Sequence, residues 1–121
     1  MLSMQAYDSL QAVAAGPNDV LYVAGQSNAP SSLAFAGLTV TNPVPGKYEG
    51  FVGKLTPSSG VGLWGKLSNS TDEFDDNSVD QIVVDTDGYP VVAGTSTYAS
   101  MNFGNAFVVN ALQYVGVYVS T

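Results

Sequence analysis

The chemistry this chain can offer begins with its acids, most of which cluster in two short stretches. Thr71-Asp72-Glu73-Phe74-Asp75-Asp76-Asn77 crowds side-chain oxygens of the kind a hard cation such as Ca²⁺ accepts. Asp72, Asp75 and Asp76 are its candidate ligands. The spacing is not that of an EF-hand, because the turn glycine and the closing glutamate are missing, so the run also reads as a solvated loop between two structural units. Asp85-Thr86-Asp87-Gly88 sets two carboxylates two residues apart. Asp85 and Asp87 can chelate the same kind of ion with help from backbone carbonyls, while Asp and Gly equally suit a plain turn.

Aromatic residues make up 11% of the chain, as many as the charged ones. Tyr48 and Tyr98 fall in or beside connecting segments, where each can edge a pocket. A sugar ring would be held there by CH–π packing, with Asn, Asp and Gln oxygens orienting its hydroxyls. Scattered surface aromatics fit the same positions. Phe51 and Phe107 occupy matched strand positions and are expected in the core. Catalytic groups are scarce. The chain has no His and no Cys, which removes a histidine-based triad and a thiol nucleophile. No pair of its carboxylates is singled out for glycoside chemistry, so no catalytic residue is nominated and a non-enzymatic protein is expected.

Charge narrows the partners. Lys47, Lys54 and Lys66 are the only cations and the net charge is −7, too acidic for nucleic acid or an anionic membrane surface. The absence of cysteine removes disulfides and thiolate metal sites. No basic, apolar leader is visible at the start, and no apolar run approaches the length of a membrane span.

The elements that position these residues come from an internal repeat. Leu21-Tyr22-Val23-Ala24-Gly25-Gln26-Ser27 matches Pro90-Val91-Val92-Ala93-Gly94-Thr95-Ser96 at an offset of 69. Leu10 then falls on Val79, Val13 on Ile82 and Asn18 on Asp87, and Phe35-Ala36-Gly37 aligns with Phe103-Gly104-Asn105 at 68. Gly50-Phe51-Val52 meets Ala106-Phe107-Val108 at 56, so the second copy is about 13 residues shorter between its second and third strands. Short apolar bursts between turn-forming runs predict four strands per copy. In the first they lie near Leu10–Ala15, Val20–Gln26, Gly50–Leu55 and Gly62–Ser68. In the second they lie near Val79–Asp85, Tyr89–Ser96, Ala106–Ala111 and Tyr114–Ser120. The units divide as residues 1–71, with a long link at 28–49, and residues 72–121. That link, rich in Pro, Ala, Ser and Thr, suits either a binding insertion or a packing role. Asn69-Ser70-Thr71 is a glycosylation sequon, meaningful in a secreted eukaryotic protein.

The run from Asp80 to Ser96, with its Val-Asp strand end, Gly-containing turn and Val-x-Ala-Gly-Thr strand, resembles the core motif of SBBP-type β-propeller repeats. Phe103-Gly104, Ala106-Phe107-Val108, Gly50-Phe51-Val52-Gly53-Lys54-Leu55, Gly60 and Trp64 extend the likeness over most of the chain. Gly16 in place of the turn Asp, Pro90 within a strand and Asn110 in place of Lys depart from it. The resemblance implies an all-β fold of two four-stranded antiparallel propeller blades, and an extracellular or cell-surface setting, without a single activity. Propellers close with about four to eight blades, and repeat units need neighbours to bury their faces. Two blades are therefore expected to leave two outer faces open and to belong to a larger propeller, or to one closed by copies of the same chain, three copies giving six blades and four giving eight. The functional expectation is a structural or binding module, with a lectin-like carbohydrate binder as the alternative.

Overall fold

The computed structural model describes residues 8–28, 31–42, 48–68, 77–96, 109–110 and 116–119. Within them the fold is all-β and antiparallel, with no helix. The first unit contains β1 (Ser9–Gly16), β2 (Val20–Ser27), a small hairpin of β3 (Ser32–Phe35) and β4 (Leu38–Thr41), then β5 (Glu49–Thr56) and β6 (Val61–Leu67). The second contains β7 (Asn77–Val84), β8 (Pro90–Ser96), β9 (Val109–Asn110) and β10 (Gly116–Val119). β1-β2-β5-β6 form one four-stranded sheet, sheet 1, and β7-β8-β10-β9 the other, sheet 2.

The repeat extends to backbone detail. β1 carries a bulge between Leu10 and Ala12, and β7 carries one between Val79 and Gln81, at the equivalent place. A bulge bends its strand onto the partner, and in both copies a glycine faces it. A Cβ on Gly25 would lie 1.9 Å from the Ser9 carbonyl oxygen, and one on Gly94 would lie 1.9 Å from that of Ser78. The shared Ala-Gly of the two matched segments is thus a steric requirement.

The sheets stack face to face. Tyr22, Ala24 and Val52 of sheet 1 pack against Val79, Ile82 and Val92 of sheet 2 as one buried cluster. Hydrogen bonds tie the sheets at both ends of their strands. The Tyr22 hydroxyl donates to the Gly88 carbonyl at 2.9 Å, and the Asn77 N–H donates to the Tyr48 carbonyl at 2.9 Å. At the Asn77 end the strand termini enclose polar groups. Glu49, fully buried, accepts from Ser68 Oγ at 2.6 Å and Asn77 Nδ2 at 3.1 Å, while Ser27 donates to Asp8.

Three details go beyond the expected strand pattern. The link at 28–49 contains the β3–β4 hairpin, whose alternating Leu33, Phe35 and Val40 lie over the far face of sheet 1 with Val23, Phe51 and Leu67. Phe35 meets Phe51 edge-on at 5.1 Å and fills the groove above the paired Gly53 and Gly65, where a Cβ on Gly53 would come within 2.6 Å of its ring. The hairpin therefore covers this face over β2, β5 and β6, while Leu10, Val13 and Ala15 of β1 stay exposed on it. In the second copy, the equivalent face is the one on which sheet 1 sits. The strand order of sheet 2 also departs from a simple meander, since the last strand, β10, lies beside β8 and β9 is outermost. Gly116-Val117-Tyr118-Val119 is β-branched and aromatic and suits an inner position better than the short Val109–Asn110. Pro90 opens β8 instead of interrupting it, a position where its missing N–H is tolerated.

Candidate functional site

A row of side chains crosses sheet 1 near the β1–β2 turn. Tyr22 on β2 pairs with Lys54 on β5, and Lys54 pairs with Trp64 on β6. Directly opposed residues on neighbouring strands project from the same face, so the three form a continuous strip. A bulge beside Lys54 leaves Leu63 as the extra residue and brings Trp64 into the row. The Tyr22 and Trp64 rings are 6.3 Å apart and inclined at 54°, and Lys54 Nζ stands 5.5 Å from the centre of the Tyr22 ring. That arrangement keeps the ammonium against an aromatic face.

Sheet 2 supplies the opposite wall through its β7–β8 turn. The carboxylate of Asp85 accepts the N–H groups of Asp87 and Tyr89, both at 2.9 Å, which organises the turn internally. Gly88 adopts φ +88°, and a Cβ on it would come within 3.1 Å of Pro17 in the facing β1–β2 turn. The two hairpin turns therefore meet closely. Between them opens a cleft of about 320 Å³, floored by Tyr22, Lys54 and Trp64 and rimmed by Asn18, Asp87 and Tyr89. Its volume is at the lower end of small-molecule sites.

The sequence-predicted residues distribute unevenly over this geometry. Asp87 lies on the cleft rim. Asp85 spends one carboxylate oxygen on the turn, and among the described residues no three Asp, Glu, His or Cys side chains group as a metal site. Tyr48 lies at the opposite end of the strands, its carbonyl bonded to Asn77. Asp72, Asp75, Asp76, Tyr98, the sequon and Phe107 lie outside the described residues. Tyr22, Lys54 and Trp64 were not singled out as a site by sequence reasoning, although Trp64 is the only tryptophan and Lys54 one of three cations in the chain. That scarcity was the available signal.

No family model matches the chain, and no curated protein is significantly similar to it. The likeness to SBBP-type repeats rests on the residues themselves. Chemically, the cleft offers aromatic surface, an ammonium donor, and carboxylate and amide groups at the rim. It contains no nucleophile with a base beside it. The arrangement is suited to holding a neutral, hydroxyl-rich molecule.

Proposed function

We propose that this chain is a non-enzymatic binding module built from propeller-type blades. The setting proposed with it, extracellular or cell-surface, comes from the repeat resemblance. The blade reading is supported by the bulge and facing glycine that recur in both copies, Leu10–Ala12 with Gly25 and Val79–Gln81 with Gly94.

The Tyr22–Lys54–Trp64 floor favours one form of binding, carbohydrate recognition, and the cleft replaces Tyr48 as the place for it. One sugar ring packs its C–H face on Trp64, while Lys54 donates to hydroxyls and Asp87 accepts from them. Because Trp64 is the sole tryptophan, its fluorescence reports directly on the cleft. Titration with mono- and disaccharides is expected to shift that emission saturably, at millimolar to micromolar concentration. Trp64→Ala should abolish binding on a glycan array while the strand signal in circular dichroism persists. A glycan array without a hit and an emission that stays constant would remove the carbohydrate reading.

A further inference from the structure

The cleft between the two hairpin turns has unequal ends. At one end the turns touch. A Cβ on Gly88 would come within 3.1 Å of Pro17, and the Tyr22 hydroxyl donates to the Gly88 carbonyl at 2.9 Å. Tyr22, where the floor begins, is buried. At the other end the floor runs out onto β6, the outermost strand of sheet 1. Sheet 2 packs on sheet 1 chiefly through β7, which lies over β1, β2 and β5. Among the described residues, β6 therefore extends beyond the roof that sheet 2 makes, and Trp64 on it is only half-buried.

We propose, resting on the carbohydrate reading of this cleft, that it takes the end of a glycan chain and not an interior stretch of one. An interior sugar carries a glycosidic bond on two sides, so its neighbours need two ways out. Here one way leads past Trp64 over the edge of β6, and the other meets Pro17 and Gly88. A terminal ring has a single neighbour. Packed on Trp64, it turns its free hydroxyls to the closed end and sends its linkage out past β6. In a glycan attached to a carrier, that free end is the non-reducing one.

The polar groups are placed to suit. Asn18 and Asp87 belong to the two turns that close the cleft, so an amide and a carboxylate stand at the end where the free hydroxyls of a terminal ring gather. The end wall is also preformed. Asp85 accepts from the N–H groups of Asp87 and Tyr89 at 2.9 Å, and its own N–H donates to the Tyr89 carbonyl at 2.8 Å. A turn held this way does not step aside for a threading chain, and it needs no ordering when the ligand arrives. The volume of about 320 Å³ agrees, since it lies at the lower end of small-molecule sites.

A glycan array probed with the whole chain tests this, because arrayed glycans are tethered through their reducing ends and present the other end. The expected result is a set of hits that share one terminal sugar over different interior sequences. A hit whose penultimate sugar differs from its last is then trimmed with the matching exoglycosidase, which should lower binding by about tenfold or more. The free terminal monosaccharide should shift Trp64 emission saturably, with an affinity within about tenfold of the longer glycan. Hits that share an interior sequence under different terminal sugars, or trimmed glycans that bind unchanged, would overturn the proposal and leave carbohydrate binding itself in place. An array without a hit would overturn both.

Discussion

At the scale of single residues, the two glycines facing bulges make the sharpest claims. Gly25→Ala and Gly94→Ala each force a methyl into a backbone carbonyl 1.9 Å away, in positions where neither strand can retreat without breaking its ladder. Each should lower unfolding free energy by about 3 kcal/mol or more, in the range of the severe single substitutions, as measured by urea denaturation. A change below about 0.5 kcal/mol, typical of surface sites, would show that the bulges are dispensable. Tyr22 makes a gentler test. Tyr22→Phe removes only the hydroxyl that reaches Gly88 and should cost about 1 kcal/mol. Glu49→Ala is harsher, because Ser68 and Asn77 lose their buried acceptor together, and a loss of about 2–4 kcal/mol follows from leaving such groups unpaired. The glycine pair was legible in the sequence as part of the repeated Ala-Gly. The Tyr22–Lys54–Trp64 strip was not, since its members lie far apart in the chain and only strand register brings them into one row.

At the scale of elements, strands and turns could be read because their signals are local. Asp85-Thr86-Asp87-Gly88 announces its hairpin, and the repeated apolar bursts announce the strands around it. The β3–β4 hairpin carried a signal of the same kind. Leu33, Phe35, Leu38 and Val40 flank an Ala36-Gly37 turn whose two residues both have positive φ, at 46° and 85°. That conformation is the mark of a tight two-residue hairpin. Surrounding Pro, Ala, Ser and Thr gave the segment the look of a linker, and period-2 alternation over four-residue strands is too brief to outweigh composition. The order of β9 and β10 departs from the repeat, which matches Ala106-Phe107-Val108 with Gly50-Phe51-Val52 of β5 and so sets that segment beside β8, where β10 lies instead. The hairpin's packing yields a direct test. Phe35→Ala vacates the groove above Gly53 and Gly65 and should destabilise the protein by about 3–5 kcal/mol, the usual range for a buried phenylalanine. Calorimetry that finds no loss would mean the hairpin lies on sheet 1 without supporting it.

At the scale of the whole molecule, the two sheets bury one face of each other. Each sheet has one face that needs a partner sheet, and the chain supplies that partner once. Far-ultraviolet circular dichroism should show strand with helix well below the roughly one-third found in average globular proteins. The hairpin also bears on how this protein would misassemble. With residues 31–42 replaced by a short Gly-Ser linker, the far face of sheet 1 becomes available to the outer face of sheet 2 of another molecule. The contact would then be heterologous, which closes into a ring if the rotation between copies closes and grows as a fibre if it does not. Electron microscopy on that variant should reveal head-to-tail assemblies, rings or filaments, and images of single 12.5 kDa particles only would sink the expectation. Seen this way, the twelve residues 31–42 act as a cap, lying where another sheet would otherwise dock.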